Sequence, residues 1–200
     1  MTKTLLLTPF LALALAGSGA ASVHGPKAAP SCPKAWQAGW QRLANRIRTD
    51  VYCPSWLPDP LTGQIGGRWN NIDSVSRDRS YLIGFVWQEK NEEIHINLRG
   101  YRGLTRIPTC RSVDLVGGKK RVSYVPCFAD SRGQKTVGGI RVTEYTVNQD
   151  ADQWHVLYAW RHHGSLYTLS QHVAPPYTFP QIVQYLNRMM RALVLVHPVG

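Results

Sequence analysis

The chain has 200 residues, with 23 Lys and Arg against 12 Asp and Glu, for a formal charge of +11. That length suffices for one ordinary domain and excludes the need for a metal or an oligomer to complete its core. The cationic excess favours anionic partners or, more plainly, keeps the protein soluble.

Met1-Thr2-Lys3 carries one positive charge, Leu5 to Ala16 is apolar apart from Thr8 and Pro9, and the small residues Gly17-Ser18-Gly19-Ala20-Ala21 follow. This is the order of a secretory signal peptide, and it is too short for a spanning helix. Residues 1–21 are therefore expected to be a leader, residues 22–31 a linker, and residues 32–200 a single domain working outside the cytoplasm. Leu15-Ala16-Gly17-Ser18 places Ser18 where a lipobox carries its lipid-bearing cysteine. Serine forms no thioether, so no lipid anchor is expected.

Pro33 to Arg48 reads as a helix, with Trp36, Trp40, Leu43 and Ile47 on one stripe. Tyr52 to Pro60 holds three prolines and reads as an extended loop or turn. Tyr81 to Gln88 and Glu93 to Arg99 then flank a turn at Lys90-Asn91. Pairing them sets Ile83, Phe85 and Trp87 opposite Leu98, Ile96 and Ile94 on an apolar face. Val137 to Val147 reads as one further strand. Trp154 to Arg161 and Leu166 to Val173 form another hairpin about His162-His163-Gly164-Ser165. Its apolar face carries Trp154, Val156, Tyr158 and Trp160, and its reverse face sets His155 opposite His172. A last helix begins with Thr178 as cap and Pro180 in its first turn, and its stripe is Ile182, Leu186, Met189, Met190 and Leu193.

Cys32, Cys53, Cys110 and Cys127 form an even set, which in a secreted chain means two disulfides with three possible pairings. Gly117-Gly118-Lys119-Lys120 is a hairpin signal. Folding about the Gly118–Lys119 midpoint sets Cys110 opposite Cys127 and leaves Cys32 and Cys53 to bracket the first helix. The expected fold class is α+β: a single antiparallel β-sheet with an N-terminal and a C-terminal helix packed on one face, plus two disulfides.

Val51 to Pro58 (VYCPSWLP) is similar to the opening segment of some secreted bacterial sheet domains. Ala159-Trp160-Arg161, Gly164 and Tyr167-Thr168-Leu169, followed by a helix, resemble the closing segment of the same group. That group resembles the half-barrel lipoprotein carriers and periplasmic sensor domains. The resemblance implies a fold and an extracytoplasmic compartment, and no catalytic residue.

The chemistry narrows by absence of motif. No G-x-S-x-G elbow exposes a serine, no Gly-rich loop ends in Lys-Ser/Thr, and no close cysteine pairs suggest zinc. His155 and His172, with Glu144 on the neighbouring strand, are the candidate metal ligands of a metal-assisted hydrolase, with a divalent metal as its cofactor. Trp56 and Trp69 beside Arg68 are candidates for stacking on a sugar or phosphate. Arg102, Arg106, Arg111, Lys119, Lys120 and Arg121, preceded by Arg99, make the candidate anion-binding stretch. The leading expectation is a non-catalytic, cofactor-free envelope binding or sensor domain. Its partner is an anionic envelope polymer, a lipid surface or another envelope protein, with no nucleic acid and no transmembrane helix in the mature chain.

Overall fold

The computed structural model describes residues 29–65 and 73–199. The expected leader, Ser18, most of the linker, Arg68 and Trp69 lie outside the described residues. The elements are α1 (Lys34–Ile47), β1 (Val51–Pro54), β2 (Asp73–Val75), β3 (Tyr81–Glu89), β4 (Glu92–Tyr101), β5 (Thr109–Val116) and β6 (Lys119–Pro126). They continue with β7 (Phe128–Val137), β8 (Ile140–Asn148), β9 (His155–His162), β10 (Ser165–His172), α2 (Phe179–Arg191) and β11 (Leu193–Val196). The protein is mostly β, with two helices and two disulfides.

The strands form three antiparallel sheets where one was expected. Seven strands run in the order β2-β3-β4-β10-β9-β8-β7, while β1 pairs with β11 and β5 with β6. Both long hairpins adopt the registers expected from alternation: Ile83, Phe85 and Trp87 face Leu98, Ile96 and Ile94, and His155 faces His172. The pleat sends Ile83, Phe85, Ile94, Ile96, Leu98, Val156, Tyr158, Trp160, Tyr167 and Leu169 into one core. Trp36, Trp40, Ala44 and Ile47 of α1 join it, as do Ile182, Leu186, Met189 and Met190 of α2. Each of these helical stripes recurs every three or four residues, which is why the helices lie on the sheet.

Five further expectations need correction. Gly138 and Gly139 split the expected Val137–Val147 strand into the β7–β8 hairpin; both have positive φ, 59° and 81°, the geometry of a two-residue primed turn. Leu193 is not helical but opens β11, because α2 ends in a capped turn at Ala192 and Leu193 pairs with Pro54. The proline-rich stretch starts with a true strand, β1, whose partner lies at the far end of the chain. Trp154 occupies a turn at φ 64° and is 71 % exposed, outside the core face. The face opposite the helices is not a solvated surface, since Asn97, His155, Thr168 and Ser170 on it are all buried.

The start of α2 follows its sequence signal. Thr178 and Gln181 form a reciprocal capping box and Pro180 sits in the first turn, where its missing N–H leaves no helical bond unmade. One core residue violates its surroundings. Gln171 is fully buried between Val156 and Ile96, and both polar atoms of its side chain lack partners. An unpaired buried amide costs about 1–3 kcal/mol. Gln171→Met, close in volume, is expected to raise stability by ~1 kcal/mol or more, read as a higher urea midpoint at unchanged slope.

Candidate functional site

The cationic stretch becomes a free-standing ribbon. Gly117 and Gly118 have φ of 57° and 76° and form the two-residue turn between β5 and β6. A primed turn needs positive φ at both central positions, so the glycine pair sets the register one residue earlier than the Gly118–Lys119 midpoint. Cys110 therefore faces Val125, and it bonds diagonally to Cys127 across a Cα separation of 4.8 Å. The second bridge, Cys32–Cys53, closes over α1.

The ribbon is tied down at its base. The Cys127 amide donates to the Pro108 carbonyl at 2.8 Å. Cys127, Phe128, Leu157, Ala159 and Leu166 form a small satellite core there, with Ile107 and Cys110 against it. Beyond that base no described strand pairs with either edge. Opposed residues share a face, so one face reads Arg111 and Tyr124, then Val113 and Val122, then Leu115 and Lys120. Leu115 is 73 % and Tyr124 74 % exposed, and Val113, Val116 and Val122 are exposed too. Arg102, Arg106, Arg111, Lys119, Lys120 and Arg121 are all exposed, and Asp114 is the only acid between Arg102 and Arg121. Arg99 does not join them: it is turned inward, 3.1 Å from Asp152.

The histidine face is a closed network rather than an open ligand set. The turn at Asp150–Asp152 folds over it. Asp152 accepts from Ser170 Oγ at 2.6 Å and from Asn97 Nδ2 at 2.9 Å. His155 Nδ1 lies 2.9 Å from Ser170 Oγ, and His172 Nδ1 lies 3.0 Å from Glu93. The His155 and His172 rings stack at 5.3 Å, and His95 of β4 completes a triangle 5.0 Å from His155. Alternation alone pointed to it, since His95 sits on the same face of β4 as Asn97. Glu144 is not among them. It faces Tyr158 across β8–β9, so it points to the helix side, where it pairs with Lys135 at 2.7 Å.

This network resembles a serine–histidine–aspartate set only in composition. Ser170 is the middle member, donates to Asp152 and is fully buried, so its oxygen has no access to a substrate. A groove of about 380 Å³ does reach His155 and His172, walled by Arg132, Trp154, Val173 and Phe179. Trp56 lies elsewhere, against Arg188, whose guanidinium sits 3.9 Å over its ring. Among the described residues no helix is long and apolar enough to cross a membrane.

No family model, curated protein or solved structure matches the chain.

Burial pushes the His155 imidazole down to about 2, with His95, His172 and Arg99 adding repulsion. Asp152 lies 3.8 Å away, but Arg99, Asn97 and Ser170 already engage it, so it does not hold a proton on His155. Burial lowers His95 as well. The unfolded chain, with histidine near 6.5, thus binds more protons than the folded one below that pH. Stability is full above about pH 6.5 and is lost as the pH falls, by ~1.4 kcal/mol per pH unit for one such group. From pH 7 to pH 5 the urea midpoint is expected to drop by an amount equivalent to ~2 kcal/mol or more. His155→Gln is expected to flatten that slope, and an unchanged slope would show that His155 does not set it.

Proposed function

We propose that the protein is a secreted, non-catalytic binding domain that docks on anionic lipid surfaces through the β5–β6 ribbon. One observation carries the reading: an exposed apolar stripe, Tyr124, Val113, Val122 and Leu115, is flanked by cations on a ribbon that no described strand covers. Cations alone suit any polyanion. Lysines on an open edge also block strand-to-strand aggregation. Neither role calls for an exposed leucine and tyrosine beside them. A lipid interface rewards both halves, with each Lys or Arg near an anionic leaflet worth about 1 kcal/mol and each fully buried large apolar side chain about 1.5–3 kcal/mol.

The fold supplies the geometry. The disulfide and the satellite core fix the base, and the glycine turn ends the ribbon in Leu115, Val116, Lys119 and Lys120. The hydrolase reading on His155 and His172 has less support, because Glu144 is on the other face of the sheet and the His155 Nδ1 is engaged by Ser170.

The test is sedimentation with phosphatidylglycerol–phosphatidylcholine vesicles. Binding is expected to weaken with added salt, because exposed charges are screened, and to be absent on pure phosphatidylcholine. Lys119→Glu with Lys120→Glu is expected to reduce affinity at least about tenfold. Leu115→Ser is expected to reduce it several-fold without changing the salt dependence. Retention on an acidic polysaccharide that is indifferent to Leu115→Ser would instead mark a polymer binder. Equal binding to neutral vesicles would end the proposal.

A further inference from the structure

Beside the β9–β10 turn, three chain segments converge on one carboxylate. Asp50 lies between α1 and β1. His197 follows β11, and because Val51 pairs with Val196, continuing the register sets His197 beside Asp50. His162 and His163 come from the end of β9 and its turn, where His163 holds a positive φ of 44°. Tyr52 packs edge-on against Trp160 and Tyr167, with centroids 5.2 and 5.0 Å away, and the Tyr167 hydroxyl donates to the Asp50 carbonyl at 2.8 Å. The small β1–β11 sheet is thereby locked over the β9–β10 hairpin.

The donor atoms face inward. His163 Nδ1 lies 2.8 Å and His162 Nε2 3.2 Å from Asp50 Oδ2, and His197 Nδ1 lies 2.8 Å from Oδ1. Asp50, His162 and His163 each offer an atom within 4.8 Å of the other two. The His162 Nε2 atom is buried and makes no properly directed hydrogen bond. A buried imidazole nitrogen that meets a carboxylate out of line is a group that a bound ligand would satisfy. In a tetrahedral site with bonds of about 2.0–2.1 Å, neighbouring donor atoms lie about 3.3 Å apart. The two imidazole nitrogens lie 2.8 and 3.2 Å from Asp50 Oδ2, at or inside that spacing.

We propose that Asp50, His162 and His163 form a binding site for one divalent transition metal of the zinc class, with His197 held on the other oxygen of Asp50. Two imidazole nitrogens and one carboxylate oxygen suit zinc, cobalt or nickel better than calcium or magnesium, which prefer oxygen. Three protein donors leave one position open to water, and His197 orients the Asp50 carboxylate by holding its second oxygen. The largely exposed His163 and His197 side chains let it enter without unfolding.

Cobalt(II) titration of the metal-free full-length chain, followed by its visible absorption, tests this directly, with zinc calorimetry alongside. One equivalent is expected, with the strong absorption of a four-coordinate site. His163→Ala and His197→Ala, both at exposed side chains, are each expected to lower affinity at least about tenfold, as is the near-isosteric Asp50→Asn. His172→Ala, in the separate network, is expected to leave binding unchanged. Absence of stoichiometric binding, survival of tight binding in His163→Ala, or its loss in His172→Ala would each overturn the proposal. Circular dichroism establishes that every variant is folded.

Discussion

The pleat of the seven-stranded sheet is the constraint on which the remaining features depend. Side chains alternate strictly between its faces, and α1 and α2 cover one of them, so the register of each hairpin decides what is buried. A shift of one residue in β9–β10 would drive His155, Ser170 and His172 under the helices and push Val156, Tyr158 and Trp160 out. Burying unpaired polar groups costs several kcal/mol, and exposing three large apolar side chains costs as much again. The second face follows from the same rule. It collects Asn97, His155, Ser170 and the half-buried Arg99; Asp152 folds back to engage Asn97, Ser170 and Arg99, and Ser170 engages His155.

The sequence was legible wherever two signals agreed. In β3–β4 and β9–β10 the alternation and a short polar turn point to the same register, and both pairings came out as expected. Where a glycine pair meets a lysine pair, composition leaves the turn ambiguous by one residue; the need for positive φ at both central positions decides for Gly117-Gly118. The β7–β8 hairpin was harder to see, because Ser131 to Lys135 is polar and includes a register shift, so its strand has no alternation to read. β1 and β11 pair across nearly the whole chain, and local pattern holds no information about so distant a partner. Glu144 cannot be placed without the β8 register, and its pairing with Tyr158 sets it on the face away from the histidines. Asp50 and His197 stay hidden for the same reason, although His162 and His163 stand out in the sequence as a pair.

The three chemical features divide the molecule. The histidine network on the second face is consumed in its own hydrogen bonds and acts on stability. The Asp50 cluster gathers the end of α1, the turn after β9 and the segment after β11. The β5–β6 ribbon contributes nothing to the main core beyond its base, yet it carries exposed leucine, valine and tyrosine beside four cations. Exposed apolar surface on a free-standing element is costly in water, and on the proposed reading contact with a lipid surface offsets that cost. The Cys110–Cys127 bridge pins the two strands of the ribbon together at its base.

The most direct measurement is the depth of the ribbon tip in a bilayer. A polarity-sensitive fluorophore attached at Leu115→Cys should shift to the blue on addition of anionic vesicles and be quenched by lipids brominated in their acyl chains. The same fluorophore at Arg141→Cys, on the exposed β7–β8 hairpin, should respond to neither. An unshifted, unquenched signal at position 115 under conditions where the protein sediments with the vesicles would contradict docking through the ribbon.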